Sequence, residues 1–335
     1  MTVTATDPAV EEGAPSATPE FAPLPVPERL PTEPEVIFVV GVARSGTTMM
    51  RNILATSPRV AVARETHFMG HIFGRKGARH FFRQAGDLTN DDAVRKVVDL
   101  IYSGAYLRQS RFGNISPFWR WLDESVPREE FEKRLLAAER SERGLFTTLL
   151  RLYADSEGKP VMGEKTPTHL DYVDELLEWY PDGRIVHVLR DPRAIYVSDR
   201  YRREKMPRPP YSWMAKVPGM LPTYLLTLTV LQWSRALRRH ARFSEKYGDR
   251  YTLVKFEDSV QDPHGVLPPM FDFLGIQRPE DPTQVNVPAK HGMRDSSEGI
   301  DPQAAERWRE RIHPFAKRFL DLFLGGRMRK FGYSK

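Results

Sequence analysis

The chain has 335 residues, 28% of them charged, and a net charge of +6 at pH 7. It contains no cysteine, which excludes disulfides, cysteine nucleophiles and thiolate metal sites. The sequence has neither a signal-peptide pattern nor an apolar run long enough for a membrane span, so we expect a cytoplasmic protein without a transmembrane segment.

The first 35 residues differ in composition from the rest of the chain. They hold eight of the 28 prolines and carry a net charge of −6, so the remaining 300 residues carry +12. This composition predicts a disordered acidic tail over residues 1–35, with an arm packed on the body as the alternative. A basic body over residues 36–335, taken as a single domain, indicates anionic ligands, nucleic acid or a membrane surface as partners.

From Val36 onwards, strands and helices alternate along the chain. We predict strands over residues 36–40, 60–63, 161–163, 184–189 and 251–255, and helices after the first strand and over residues 170–179, 223–247 and 256–273. Residues 66–158 are predicted to be mostly helical, as an insertion that covers the sheet edge and shapes an acceptor pocket. The alternation is typical of an α/β fold, a P-loop-type and mainly parallel sheet flanked by helices.

The first predicted strand runs into a loop of the phosphate-binding kind. Gly41 and Gly46 occupy the two glycine positions of the Walker A pattern, and Thr48 supplies its terminal hydroxyl. Thr47 stands where that pattern has lysine, the residue that serves the β- and γ-phosphates of a nucleoside triphosphate. The loop instead contains Arg44, whose guanidinium is suited to bind an anion.

A second segment joins the fourth predicted strand to a helix. Arg190 lies at the carboxyl end of that strand, where α/β sheets bind ligands, and Ser198 follows two turns into the helix. We interpret Asp191 as a helix cap rather than a magnesium ligand, because Arg190 precedes it and Pro192 follows it. The basic run that comes next is interpreted as a solvated face, with contact to an anionic acceptor as the alternative; its members are Arg200, Arg202, Arg203 and Lys205.

Two phosphate-type sites at two strand ends suit a nucleotide phosphorylated at both its 3′ and 5′ positions. In these two segments the chain resembles sulfotransferases that use 3′-phosphoadenosine-5′-phosphosulfate (PAPS). It is most similar to the branch that contains the tyrosylprotein sulfotransferases and their bacterial relatives. That branch carries an Arg-Ser-Gly-Thr-Thr loop and an Arg-Asp-x-Arg-x-x-x-x-Ser segment, and both patterns occur here over a resemblance that extends from residue 36 to about residue 315.

The resemblance implies a role for individual residues. The 5′-phosphosulfate would be held by the loop residues Arg44, Ser45, Gly46, Thr47 and Thr48, and the 3′-phosphate by Arg190 and Ser198. Glu65 would be the general base and Lys165 would contact the sulfuryl group. Ser296 and Ser297 would close over the donor, although the lysine that the family has after them is missing here.

The chemistry of sulfuryl transfer agrees with these assignments and leaves alternatives open. Transfer needs a base for the acceptor hydroxyl and cations for the leaving phosphate, and it requires no metal. Glu65 has an alternative interpretation as an ion-pair partner of Arg64 or Arg44, in which case His67 is the substitute base. His187 is interpreted as a core histidine, and Trp233 and Trp308 as core residues rather than adenine contacts.

The acceptor is a hydroxyl of a small molecule, a glycan, a lipid or a peptide, and the sequence does not choose among these. A divergent P-loop kinase that transfers phosphate from ATP is the main alternative function. It would need a loop lysine and a magnesium-binding aspartate. Nucleic acid is not expected as a partner, because the basic helices lack interleaved exposed aromatic residues.

Overall fold

A computed structural model describes residues 21, 23–70, 77–104, 116–206, 210–287 and 297–333. Its centre is a parallel five-stranded sheet in the spatial order β2-β3-β1-β4-β5. The strands are β1 (Val36–Gly41), β2 (Val60–Ala63), β3 (Val161–Lys165), β4 (Arg184–Leu189) and β5 (Tyr251–Lys255). The predicted α/β fold with a mainly parallel sheet is confirmed.

The strands are apolar throughout because helices cover both faces of the sheet. In β1, Ile37 and Val39 contribute to one hydrophobic cluster, whereas Phe38 and Val40 contribute to the other. All six residues of β1 are buried. A parallel strand that is buried on both faces shows a continuous apolar run rather than an alternating one, and this is the pattern that made the strands recognisable.

The helices divide between the two faces of the sheet. One face is covered by α1 and α12, and the other by a larger set that includes α6, α10 and α13. In chain order the helices are α1 (Thr47–Ala55), α2 (Ala78–Phe82), α3 (Asp91–Tyr102), α4 (Pro117–Ser125), α5 (Arg128–Ala137), α6 (Glu142–Ser156), α7 (Val173–Trp179), α8 (Pro192–Lys205), α9 (Tyr211–Met214), α10 (Met220–Lys246), α11 (Phe256–Gln261), α12 (Pro263–Leu274) and α13 (Pro314–Lys330). Within the described residues, no helix is both long enough and apolar enough to cross a bilayer.

Three predicted helices have different bounds in the structure. The α-helix predicted over 170–179 begins at Val173, and the other two differences involve proline. The helix predicted over 256–273 divides into α11 and α12 at Asp262, because a residue before proline is disfavoured in helical conformation and the Asp262 side chain caps α12. The helix predicted over 223–247 begins earlier, at Met220 after Gly219, and includes Pro222. Proline is tolerated there because the first turn of a helix needs no N–H donor.

The segment predicted as a polar insertion contributes much of the core. Among its described residues, α6 packs directly on β2 and β3. Its Phe68, Phe118 and Phe146 side chains are buried in the larger hydrophobic cluster. It therefore packs on the sheet at β2 and β3.

Part of the acidic N-terminal stretch lies against the body. Residues 23–35 run beside the sheet, where the Glu33 carboxylate pairs with Arg59 at 2.7 Å and the Leu24 N–H donates to the Asp155 carbonyl at 3.1 Å. Residues 1–20 and 22 lie outside the described residues. Residues 23–32 are nevertheless exposed, so the contact of this stretch with the body centres on the buried Glu33 carboxylate.

Candidate active site

The loop between β1 and α1 needs glycine at two positions. At Gly41, an added Cβ atom would lie 2.6 Å from the carbonyl oxygen of Val188 in the neighbouring strand. Gly46 has a φ of +98°, and a Cβ atom there would lie 2.3 Å from the ring of Phe256. Close backbone approach and a left-handed conformation are the two properties that only glycine combines, so the loop is as tight as its sequence predicted.

The end of this loop offers unpaired donors to a ligand. Helix α1 begins at Thr47, and its N-cap residue Gly46 has no side chain to satisfy the first N–H groups. The Ser45 hydroxyl is buried and has no hydrogen-bond partner among the described residues. Thr47 is buried beside it, and Thr48 is partly exposed. Free N–H groups and the positive end of a helix dipole together favour an anion at this position.

Arg44 brings the two predicted phosphate sites together. Its φ of +74° is unusual for a residue with a side chain. The Arg44 Nε and Nη2 atoms both donate to the Ser198 hydroxyl, at 3.1 and 2.9 Å. Burial, together with the positive charges of Arg202 and Arg190, lowers the pKa of Arg44 to about 10. The loop and helix α8 thus form one cationic site.

Arg190 holds the end of β4 against two other segments. Its Nη1 donates to the Arg44 carbonyl at 3.2 Å and its Nη2 to the Ala304 carbonyl at 3.0 Å. The guanidinium lies 4.0 Å from the ring centroid of Phe256. Its Nε atom is buried and has no partner within the described part of the chain, so this donor remains for a ligand.

Glu65 and Lys165 form an ion pair at the carboxyl edge of the sheet. Lys165 Nζ lies 2.5 Å from Glu65 Oε1, and His67 Nε2 lies 3.4 Å from Glu65 Oε2. The Lys165 side chain is 5% exposed and that of Glu65 is 36% exposed. Burial acts to raise the pKa of Glu65, but the hydrogen bond to His67 and the charge of Lys165 outweigh it and hold that pKa well below its usual range. Glu65 is therefore an ionised carboxylate that is partly open to solvent.

Glu164 is a buried carboxylate that the sequence analysis missed. Its Oε1 accepts hydrogen bonds from the Thr66 N–H at 3.1 Å, from the Thr66 hydroxyl at 2.9 Å and from the Thr166 hydroxyl. His169 Nδ1 lies 3.0 Å from its Oε2. Because His169 Nε2 accepts from the Met69 N–H at 3.3 Å, the ring proton is assigned to Nδ1, the nitrogen beside the carboxylate.

The Glu164 network fixes the loop that carries Glu65. Burial acts to raise the pKa of Glu164, whereas His169 and the hydrogen bonds from Thr166 and Thr66 hold it below its usual value. Since Thr66 directly follows Glu65, this anchor fixes the backbone that presents Glu65. Little in the sequence indicated this role, because Glu164 directly follows the predicted strand over 161–163 and directly precedes Lys165.

Two further charged residues adjoin the site. Arg202 lies one helical turn after Ser198, near enough to lower the pKa of Arg44; the sequence analysis interpreted it as part of a solvated face. Glu257, at the start of α11, accepts hydrogen bonds from the Asp191 N–H and the Tyr333 hydroxyl, each at 3.0 Å. The four-residue spacing from Ser198 indicated Arg202, but no pattern in the sequence indicated Glu257.

The remaining predicted residues lie as follows. Ser296 falls outside the described residues, and of Ser297 only the backbone is described, in a short antiparallel pairing with residues 286–287. His187 is fully buried, and its Nδ1 lies 2.5 Å from the Tyr251 hydroxyl. Trp233 and Trp308 are 0% and 4% exposed. The predictions of a core histidine and two core tryptophans are confirmed.

Comparison with known proteins identifies a family for most of this chain. A family model described as "Sulfotransferase family" matches residues 34–280. The omega-hydroxy-beta-dihydromenaquinone-9 sulfotransferase Stf3 of Mycobacterium bovis is 26% identical over 161 residues. That alignment covers 46% of this chain and 36% of the relative, so the chain matches about a third of that protein's length.

Two solved structures share the fold. The sulfotransferase domain of the curacin biosynthetic pathway has a TM-score of 0.51 at 14% identity, over 86% of this chain and 97% of that one. The sulfotransferase domain of the Synechococcus PCC 7002 olefin synthase has a TM-score of 0.50 at 19% identity, over 89% and 98% of the two chains.

Proposed function

The chain belongs to the sulfotransferase family, and on that premise we propose that it transfers a sulfuryl group from PAPS to the hydroxyl of an acceptor. The observation that carries the proposal is the pairing of Glu65 with Lys165 beside a phosphate-type loop that lacks lysine. In this proposal Glu65 would serve as the base and Lys165 as a cation for an in-line transfer. The family match does not favour the alternative of a divergent kinase.

The residues of the site fit a donor with phosphates at two positions. The buried Ser45 hydroxyl and the free N–H groups of α1 are unpaired donors on the loop side. Arg190 has a buried Nε donor to offer on the β4 side. Arg44 lies between them, and burial together with the like charges of Arg202 and Arg190 lowers its pKa. An anionic ligand would relieve that repulsion, which supports a nucleotide with both a 3′- and a 5′-phosphate.

Glu65 would act as the general base. When bound, the donor supplies the sulfuryl group, whose bond to the 5′-phosphate oxygen breaks as the bond to the acceptor oxygen forms. The acceptor hydroxyl proton passes to the Glu65 carboxylate. Proton transfer of this kind contributes about 10²–10⁴ in rate. Arg44, in the loop, would stabilise the charge that develops on the leaving phosphate, so the proposal needs no metal.

Lys165 would turn from Glu65 towards the developing negative charge during the reaction. In this structure it pairs with Glu65 and, together with His67, holds the pKa of that carboxylate down. A cation that turns towards the developing negative charge no longer holds the pKa of Glu65 down. The carboxylate then becomes a stronger base at the stage at which it must accept a proton.

For the acceptor, we propose a hydroxyl on an apolar small molecule as the first class to test. The relative named above is, by its name, a sulfotransferase of a hydroxylated menaquinone. Glycan, lipid and peptide hydroxyls remain the other classes. A cytoplasmic location is part of the same proposal.

A transfer assay tests the proposed function. The full chain is incubated with PAPS and a panel of apolar alcohols, phenols and hydroxylated quinones, and release of 3′,5′-adenosine bisphosphate is measured. We expect release that depends on an acceptor and is lost in Glu65→Ala. Acceptor phosphorylation from ATP and Mg²⁺, with no release from PAPS, would contradict the proposal.

A further inference from the structure

The outer face of helix α13 exposes three large apolar side chains and leaves a fourth half-buried. Leu322, Phe315 and Phe323 are 77%, 64% and 54% exposed, and Phe319 is half-buried between the two phenylalanines. The ring centroids of Phe315 and Phe319 are 6.4 Å apart, and those of Phe319 and Phe323 are 4.6 Å apart. A spacing of four residues places these rings along one face of the helix.

Folding of the helix does not require this face. The inner face of α13 carries Ala316, Leu320, Leu324 and Met328, all buried in the main hydrophobic cluster. Helix α13 is thus apolar on two sides, and one of them is directed to solvent. A contiguous exposed apolar strip on a globular protein marks an interaction surface.

Cations flank the apolar strip, and the acidic residue of the helix is directed away from it. Arg318, Arg329 and Lys330 are exposed and make no ion pair within the part of the chain that the structure describes. The single acidic residue of α13 is Asp321, which contacts Arg193 at 3.2 Å and Lys317 at 2.7 Å. The outer surface of the helix is therefore apolar and positively charged.

We propose that this α13 surface, defined by Phe315, Arg318, Leu322, Phe323 and Arg329, docks the protein on an anionic lipid bilayer. A helix that lies flat in the headgroup region buries its apolar side chains while its cations meet lipid phosphates. With 17 residues, α13 would lie along roughly 25 Å of membrane surface. This proposal does not depend on the reaction proposed above.

The positive charge of the α13 surface favours an anionic bilayer over a second copy of the chain as its partner. A two-fold dimer through this face would oppose the same surface patch on both copies. It would bring Arg318 and Arg329 of each copy together in a partly dehydrated contact. Like charges across an interface disfavour association, whereas phosphate headgroups neutralise them.

Vesicle co-sedimentation of the full chain tests the proposal. Vesicles of phosphatidylglycerol and phosphatidylcholine are compared with vesicles of phosphatidylcholine alone, at low and high salt. We expect binding to the anionic vesicles that weakens with salt. Leu322→Ser with Phe323→Ser, and separately Arg318→Glu, should each weaken binding about tenfold or more.

Matched control variants distinguish binding through the α13 surface from non-specific binding to vesicles. Leu30→Ser removes an apolar side chain that is 53% exposed elsewhere, and Lys96→Glu reverses an exposed charge on α3. Both should bind as the unchanged protein does, and all variants should keep its thermal midpoint. Failure of the unchanged protein to bind anionic vesicles, or equal binding by the α13 variants, would overturn the proposal. So would a vesicle-independent dimer that the α13 variants dissociate.

Discussion

Glu65 and His67 are neighbouring candidates for the general base. They differ in the pH below which each would cease to act as a base. The pKa of Glu65 is held below its ordinary value of 4.5, so a Glu65 base stays ionised as the pH falls through that value. We therefore expect the acid limb of kcat/KM to lie below pH 4.5. A limb near about pH 6.5 would be typical of imidazole and would transfer the role to His67.

Substitution separates the two candidates further. Glu65→Ala should lower kcat about 10²–10⁴-fold and leave the affinity for 3′,5′-adenosine bisphosphate nearly unchanged. His67→Ala should retain most of kcat, because the carboxylate remains. Turnover that persists in Glu65→Ala and disappears in His67→Ala would reverse the assignment.

Arg190 is the residue whose loss should act on donor binding. Arg190→Ala removes a charged donor from a partly buried site, and we expect a loss on the order of 2–5 kcal/mol in affinity for the bisphosphate. Calorimetric titration measures it. Arg238→Ala, on the exposed side of α10, is the matched control and should change nothing. Unchanged affinity in Arg190→Ala would refute the 3′-phosphate assignment.

At the scale of elements, the β1–α1 loop depends on its backbone conformation. Gly46→Ala would place a Cβ atom 2.3 Å from the Phe256 ring, at a φ of +98°. We expect a loss of about 1–3 kcal/mol in the free energy of unfolding and a loss of donor binding. Chemical denaturation and calorimetry measure the two effects.

A second glycine gives the opposite expectation and serves as the control. Gly326 lies in α13, where an added Cβ atom would meet nothing within 4 Å. Gly326→Ala should stabilise the protein by about 0.5–1 kcal/mol, since alanine loses less conformational entropy in a helix. Equal effects from the two substitutions would contradict the argument from loop geometry.

The sequence predicted the elements whose pattern is local. The strands were recognisable because burial on both faces leaves an uninterrupted apolar run, as in β1. The loop and Arg190 were recognisable from short motifs in the right order. Glu164 was not, because its function depends on Thr66, which the fold brings to it from the loop after β2, and on His169 in the helical turn after β3.

The contact between Arg44 and Ser198 could not be predicted from the sequence either. Each was assigned to a different phosphate from its own motif, and the structure places them 2.9 Å apart. That distance depends on β1 and β4 being neighbours in the sheet. Sequence order places β2 and β3 between those two strands, so no local pattern contains the contact.

At the scale of the whole molecule, buried histidines make stability depend on pH. Burial, with the charge of nearby His240, lowers the pKa of His187 from 6.5 to about 3. The unfolded chain takes up a proton at that residue below pH 6.5, whereas the folded protein does not until about pH 3. Stability should thus fall as the pH drops through this window, by about 2 kcal/mol near pH 5.

A single variant isolates this contribution. Burial raises the pKa values of Glu35 and Glu257, so these residues increase stability as the pH falls in the lower part of the window. For this reason the pH dependence of stability is compared between the unchanged protein and one variant. His187→Asn keeps a polar partner for the Tyr251 hydroxyl and removes the titration. We expect it to be less stable at neutral pH and to show a flatter dependence between pH 6.5 and about pH 5. An unchanged slope would show that His187 does not contribute.

The central claim is that this site binds a nucleotide with phosphate at both the 3′ and the 5′ position of its ribose. One titration tests that claim most directly. The full chain is titrated by calorimetry with 3′,5′-adenosine bisphosphate without metal, and in parallel with ADP and with ATP and Mg²⁺. We predict that the bisphosphate binds at least about tenfold more tightly than either of the others, since only it places a phosphate at both Arg190 and the loop. Tighter binding of ATP with Mg²⁺ would contradict the account and favour a divergent kinase.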